Sequence, residues 1–181
     1  MQSILIYIAM KSNELTSFDV QKEFTQNGFS FFTEGLVVCT GDREESNAMT
    51  VSSGFIGTFL GYDVPAVQVH IAPARFTHDM MKRYPRFTLM RFEDNAIPQY
   101  LGTHSGRDGD KAAALGLHVA YTDNGTPYYE EAALVLECEL AAEYNIDPKR
   151  FRNDTPAKWY EGFTAGYHTV FVGQVINAWR R

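Results

Sequence analysis

The sequence predicts a mainly β protein, a small antiparallel β-barrel with a few short helices. Residues 66–72 and 134–140 alternate between apolar and other side chains, which is typical of strands whose two faces differ. Further strand-like runs lie at 36–40, 49–54, 87–92 and 170–179. Six or more strands with only short helices between them favour a barrel.

Three short segments have helical signals. Residues 17–26 could form a helix with Ser17 as its N-cap. A second helix is expected from 77 to 84, because Pro85 cannot continue it. A third is expected to begin at Ser105 and to end near residue 116, where a glycine can adopt the left-handed conformation of a helix end.

The length of 181 residues is typical of one domain with a substantial core, and we predict a single domain over 1–181. Residues 1–34 are interpreted as an N-terminal arm and helix extension. Within them, the apolar run Ile4–Met10 is far too short to span a bilayer. We expect it to pack as a strand or arm on the body of the protein or on a partner chain.

The net charge of −6 argues against binding to nucleic acid or to an anionic membrane. A phosphate group would therefore have to be bound by local positive groups. The two cysteines, Cys39 and Cys138, lie in apolar strand-like runs and are expected to be buried free thiols. Free thiols are typical of a reducing compartment, so the predicted location is the cytoplasm.

Several site classes have no support in the sequence. None of the five histidines has a Cys, His or acidic partner at metal-ligand spacing, so no metal is expected. There is no nucleophile elbow and no GxGxxG motif.

Residues Ala74-Arg75-Phe76-Thr77 precede the second predicted helix. Thr77 is a good N-cap, and the start of a helix has free N–H groups and a partial positive charge. Arg75 could bind a phosphate through two parallel hydrogen bonds. The segment is therefore a candidate phosphate site, although an ordinary capped helix with a solvated arginine has the same sequence.

Residues Ser105-Gly106-Arg107-Asp108-Gly109-Asp110-Lys111 have the same features at the third predicted helix. Ser105 can cap the helix, and Gly106 lets a ligand approach the backbone. Arg107 and Lys111 supply positive charge. The segment is neither a phosphate-binding Walker loop nor a calcium-binding EF-hand, because the required residues are missing.

Two further segments complete a set of four in a fixed order. The segment before these two is Asn47-Ala48-Met49-Thr50-Val51-Ser52-Ser53, and the segment after them is Leu134-Val135-Leu136-Glu137-Cys138. Together the four resemble the flavin-reductase-like FMN-binding split-barrel family, in its flavoredoxin-like branch. The resemblance runs from about residue 35 to about residue 177, and the Ser-Gly-Arg-Asp-x-Asp-Lys string is its most specific part.

The resemblance implies an antiparallel, Greek-key-like FMN-binding split β-barrel. The small and polar residues of 47–53 suit a flat flavin ring, because backbone amides of an edge strand can hydrogen-bond to it. Arg75 and Lys111 would then bind the phosphate. His168 would lie near the flavin, just before the last strand. The predicted cofactor-binding residues are Asn47, Met49, Thr50, Val51, Ser52, Ser53, Arg75, Phe76, Thr77, Ser105, Gly106, Lys111 and His168.

The function implied by the resemblance is that of a homodimeric flavoprotein, an NAD(P)H-dependent flavin reductase. Electrons would pass to a free flavin, a quinone-like acceptor or a protein. Hydride transfer to the flavin requires no acid or base from the protein, so no catalytic residue is predicted. An electron carrier of the flavoredoxin kind, which reacts poorly with nicotinamides, remains an alternative.

Two positions depart from the family pattern. Ala72 and Ala74 stand where family members often have an arginine and a serine or threonine. Two polar contacts to the phosphate or ribityl chain could therefore be missing. FAD or another flat ligand is then harder to exclude, and a split-barrel binder that has lost flavin is a further alternative.

Overall fold

The computed structural model describes residues 14–61 and 63–181. The apolar run Ile4–Met10, expected to be a strand or arm, lies outside the described residues. The described residues form ten strands, namely β1 (Thr16–Ser17), β2 (Leu36–Gly41), β3 (Ser46–Val51), β4 (Gly54–Thr58), β5 (Pro65–Ile71), β6 (Arg86–Arg91), β7 (Val119–Tyr121), β8 (Pro127–Tyr129), β9 (Leu134–Asn145) and β10 (Thr169–Arg180). The α-helices are α1 (Val20–Glu23), α2 (Phe76–Arg83), α3 (Ala96–Thr103), α4 (Lys111–Leu115) and α5 (Asp154–Tyr160).

The main sheet has eight strands and is antiparallel throughout. Seven of them follow the order β3-β2-β6-β9-β10-β5-β4, and β1 pairs with the end of β10. β7 and β8 form a separate two-stranded sheet. The fold is therefore mainly β with a few short helices, and it confirms the predicted class. β3 and β4 are the edge strands of the main sheet.

The long antiparallel pair of β9 and β10 forms the centre of the sheet. Its register shifts twice, between Val172 and Gly173 and between Val175 and Asn177. Such irregularities increase the local twist and bend the strand. At Gly173 a Cβ atom would lie 2.5 Å from the ring of Phe87, so only glycine allows this close approach.

The core has two parts, one on each face of the sheet. In β2, Leu36 and Val38 belong to one hydrophobic cluster, and Val37 and Cys39 belong to the other. The second cluster also contains Leu101 of α3 and Ala112 of α4. The two helices thus cover one face of the sheet and bring their loops next to β2 and β3.

The position of Glu137 is unusual for a charged side chain. It faces away from Cys138, as the alternation of β9 predicts, but it is fully buried. Its carboxylate accepts hydrogen bonds from Thr122 and Thr126 at 2.6 Å, and from the side-chain amides of Asn177 at 2.7 Å and Asn124 at 3.2 Å. Burial alone would raise the pKa of this carboxyl, but the four hydrogen bonds outweigh it, and the pKa is lowered.

The strands predicted from the sequence all form, whereas the predicted helix starts were wrong. Ser17 lies in β1, and the first helix is capped by Asp19, which accepts from the backbone N–H groups of the first turn. Thr77 is the second residue of α2, and Arg75 holds the N-cap position.

The third predicted helix is also shorter than expected. Asp110 caps α4 five residues after Ser105, whose hydroxyl instead accepts from the backbone N–H of Arg107 within a turn. The predicted end is confirmed, since Gly116 adopts a φ of 65°. The sequence did not predict α3, α5 or the β7–β8 hairpin. No helix among the described residues is long and apolar enough to cross a membrane.

Candidate functional site

Three of the four segments singled out in the sequence meet at one small cavity of about 260 Å³. Its walls come from the first half of β3, from the loop that enters α2, and from residues 101–111. The fourth segment, 134–138, lies in β9 at the centre of the sheet and does not line the cavity.

A buried hydrogen bond joins β3 to α2. The side-chain amide of Asn47 donates to the hydroxyl oxygen of Thr77 at 2.6 Å, and both residues are buried. The Thr77 hydroxyl therefore holds α2 against β3. The sequence had predicted instead that it would cap the helix.

The loop 105–108 packs tightly against the contact between Asn47 and the start of α2. A Cβ atom on Gly106 would lie 2.1 Å from Oδ1 of Asn47 and 2.8 Å from the ring of Phe76, so only glycine fits. Arg107 extends the contact, since its guanidinium donates to the carbonyl of Ala74 at 3.2 Å and lies 5.2 Å from the centre of the Phe76 ring. These contacts hold the loop against the start of α2.

Lys111 is buried, with 6% of its surface exposed, and its ammonium group binds backbone carbonyls. It donates to Ala48 of β3, to Leu101 of α3 at 3.4 Å and to His104 at 3.3 Å. Burial lowers the pKa of this amine, and the charge of Arg75 lowers it further. In this structure the N–H groups of Lys111 already bind protein oxygens, which gives the lysine a structural role, and its contact with a phosphate stays a prediction.

Arg75 differs from Lys111 in both its exposure and its hydrogen bonds. Its side chain is exposed at the start of α2, and no described residue accepts a hydrogen bond from its guanidinium. The first amides of a helix have no acceptor within the helix, and they point towards the same end as the N-cap. Arg75 and the start of α2 are therefore the part of the cavity that can bind an anion.

The residues of 47–53 do not all line the same cavity. Asn47 and Met49 line the small cavity, whereas Thr50 and Ser52 line a larger one of about 890 Å³. Val51 is buried in the core, and Ser53 forms a hydrogen bond of 2.7 Å with Nδ1 of His70. β3 is an edge strand, so it still has backbone groups without a strand partner.

His168 lies outside the small cavity but near its edge. Burial lowers the pKa of its imidazole, and the charge of Arg75 lowers it further. Its Nδ1 lies 2.8 Å from the hydroxyl of Tyr160. Sequence reasoning missed Tyr160 and His70, because neither lies in a recognisable motif, and it missed α3, whose Pro98 and Gly102 resemble helix breakers.

No group of metal-binding side chains occurs in the described part of the chain, 14–61 and 63–181.

Replacing Lys111 by methionine should lower the free energy of unfolding by about 1–3 kcal/mol, because carbonyls buried around the ammonium group would lose their donor. Urea denaturation followed by tryptophan fluorescence measures the change. Lys158→Met is the matched control, since Lys158 is exposed on α5 and should change stability by less than about 0.5 kcal/mol. Equal stability of the two variants would contradict the positioning role of Lys111.

Comparison with known proteins gives the family. The family described as the flavin reductase like domain matches residues 29–181, while no curated protein matches. Among solved structures, an FMN-binding protein from Thermus thermophilus with bound 1-cyclohex-2-enone is 28% identical, with a TM-score of 0.61 over 81% of this chain and 69% of that chain.

Two more distant structures share the fold. Flavoredoxin of Desulfovibrio vulgaris (Miyazaki F) is 22% identical, with a TM-score of 0.62 over 81% of this chain and 69% of that chain. An NADH:FAD oxidoreductase from Streptomyces globisporus C-1027 is 21% identical, with a TM-score of 0.59 over 81% and 75%. With the family match extending over most of the sequence, the chain belongs to the flavin reductase like domain family, and its sheet is a split barrel of that family.

Proposed function

We propose that the protein binds one FMN per chain and acts as an NAD(P)H-dependent flavin reductase. The observation that carries this proposal is the free guanidinium of Arg75 at the start of α2, beside a cavity formed by the family's segments. The similarity to the Thermus thermophilus FMN-binding protein supports FMN as the ligand.

The residues present fit a phosphate and a short polar chain. The cavity of about 260 Å³ is smaller than the roughly 300–1,000 Å³ typical of complete ligand pockets, so it suits only one end of FMN. The flat ring would then lie along the exposed edge of β3, where backbone groups can hydrogen-bond to it. Lys111 would position the walls, while Arg75 and the amides of α2 would bind the phosphate.

The two alanines affect this site differently. Ala72 is buried and does not line the cavity. Ala74 is exposed at the cavity, and Arg107 approaches its carbonyl. Arg107 thus positions the loop beside Ala74, which leaves Arg75 and the start of α2 as the proposed phosphate contacts.

When bound, FMN supplies the two-electron chemistry, taking a hydride from a reduced nicotinamide and passing electrons to an acceptor. The chain binds and orients the cofactor, and no acid or base is required from it. Flavoredoxin is among the proteins with this fold, and an electron carrier is therefore the second candidate function.

Arg75→Ala should weaken FMN binding by about one to two decades, because a charge-assisted contact to phosphate contributes roughly 1.5–3 kcal/mol. Quenching of FMN fluorescence measures the affinity, and riboflavin and FAD are titrated in parallel. Riboflavin has no phosphate, so its affinity should stay nearly unchanged.

Lys111→Met is the contrast variant for this experiment. Since it disturbs the walls of the cavity, it should weaken FMN and riboflavin alike. If Arg75→Ala binds FMN as the parent does, the phosphate assignment is wrong. If the parent does not bind FMN at all, the chain is a split-barrel binder that has lost flavin.

Mixing the FMN-loaded protein anaerobically with NADH and with NADPH separates the two candidate functions. A reductase should bleach the flavin absorbance within seconds with at least one nicotinamide. Dithionite serves as the control for complete reduction. A flavin that dithionite bleaches but neither nicotinamide reduces would identify an electron carrier.

The proposed site also favours a homodimer, because the ring of FMN would otherwise lie on an open edge. The other edge strand, β4, presents Phe55 with 65% of its surface exposed, and Leu60 beyond it is 92% exposed. Exposed apolar side chains at sheet edges are typical of contact surfaces. Light scattering of the FMN-loaded protein at micromolar concentration should give the mass of two chains, and the mass of one chain would exclude the dimer.

A further inference from the structure

The connection between β9 and β10 contains an aromatic cluster. Residues 146–168 include α5, and the rings of Phe151, Trp159, Tyr160, Phe163 and Tyr167 contact one another there. None of the five is fully buried, and Trp159 is 60% exposed. We refer to residues 146–168 as the aromatic segment. Its rings cover no part of either hydrophobic core cluster, so their packing calls for another explanation.

The aromatic segment is attached to the loop that carries Arg75. The backbone N–H of Ala74 donates to the carbonyl of Ala165 at 3.4 Å, and Gly166 packs on Pro73. Burial lowers the pKa of His168, the last residue of the segment, and the charge of Arg75 lowers it further. Burial likewise lowers the pKa of His70, and His168 adds a smaller effect in the same direction.

The hydrogen bonds of Tyr160 determine which nitrogen of His168 carries the proton. The tyrosine oxygen accepts the backbone N–H of His168 at 3.3 Å and lies 2.8 Å from Nδ1 of the same residue. A hydroxyl has one proton to donate, and no other described residue accepts it. We therefore assign the Tyr160 proton to the bond with Nδ1, which makes Nδ1 an acceptor and places the ring proton on Nε2.

The Nε2 atom of His168 has no hydrogen-bond partner within residues 14–61 and 63–181. No described residue forms a hydrogen bond with it, although the side chain is half-buried and the ring stacks on Phe163 at 5.3 Å. No carboxylate of the described chain pairs with His168 or His70, and Arg75 adds positive charge nearby. Such surroundings favour an oxygen ligand that is a carbonyl or an anion.

We propose that Tyr160 is a positioning residue that holds His168 as a neutral Nε2–H donor, and that this donor binds a carbonyl or carboxylate oxygen of a planar ring beside Arg75. The exposed ring of Trp159 and the half-buried ring of Phe163, which stacks on His168, supply apolar contact for the ring of the ligand, while Arg75 supplies charge. This inference rests on the proposed function, since the ligand would be the compound that exchanges electrons with the flavin.

The tautomer is tested first, in the protein without FMN. Long-range ¹⁵N–¹H spectra report which imidazole nitrogen is protonated, and His168→Gln identifies the signals. The parent should have a protonated Nε2 and an unprotonated Nδ1. Tyr160→Phe keeps the ring but removes the hydroxyl, and it should give a mixture of tautomers.

Tyr167→Phe is the matched control, because Tyr167 contacts the ring of Tyr160 at 4.7 Å but its hydroxyl bonds to no described residue. It should leave the His168 signals unchanged. A parent with a protonated Nδ1, or a Tyr160→Phe spectrum like that of the parent, would overturn the inference whether or not the protein binds flavin.

The ligand is tested next with the FMN-loaded protein, using benzoate and nicotinamide as probes and benzyl alcohol as the control without a carbonyl. At least one probe should shift the Nε2–H signal of His168, and Tyr160→Phe should weaken its binding roughly threefold to tenfold, the effect of one neutral hydrogen bond. A response to benzoate assigns an aryl carboxylate, and a response to nicotinamide assigns a ring carboxamide. If neither probe shifts the signal, the ligand assignment fails.

Discussion

The site depends on the buried ammonium group of Lys111. Its hydrogen bonds tie together β3, α3 and the loop that follows α3, three parts of the chain that no strand pairing connects. A buried cation is costly unless each of its N–H groups finds an acceptor, so the arrangement tolerates little displacement of the three carbonyls. The walls of the cavity are therefore held at fixed separations before any ligand binds.

The remaining contacts divide the positive charges between structure and binding. Lys111 binds carbonyls inside the protein, and Arg107 binds the carbonyl of Ala74. No described residue accepts a hydrogen bond from the guanidinium of Arg75, which lies at the start of α2. The backbone N–H groups of Arg75 and His78 already bond to the carbonyls of Ala72 and Arg75, so the phosphate donors that we propose are the guanidinium and the backbone N–H groups of Phe76 and Thr77, all positioned by the folded chain. We expect such preorganisation to contribute to affinity, because the cost of ordering the site is met during folding.

The loop 72–75 links two surfaces that the sequence separates widely. On one side it contacts Arg107 of the small cavity, and on the other it binds Ala165 of the aromatic segment. Arg75 lines the small cavity, and its charge adds to the effect of burial in lowering the pKa of His168. If the phosphate end of a flavin lies on one side of this loop, the ring of a second ligand can lie near the other. The loop would then set the distance between cofactor and reaction partner.

The sequence by itself determined the six longer strands β2, β3, β5, β6, β9 and β10 and the resemblance to the family. Alternation along 66–72 and 134–140 predicted two strands inside the sheet, since side-chain direction in a strand depends only on local backbone geometry. The four ordered segments predicted the split barrel. The sequence did not locate the helix starts at Asp19, Arg75 and Asp110, because several polar residues near each start could cap it.

Only the tertiary structure decided what Lys111, Glu137 and Tyr160 do. Lys111 meets Ala48 across 63 positions, and Glu137 accepts from Asn177 across 40. Contacts over such separations leave no periodic pattern in the sequence, so a charged residue at these places resembles any exposed one. Burial and partners are properties of the folded sheet, and the fold gives a lysine that the sequence marked only as a positive charge three carbonyl partners that hold the site together.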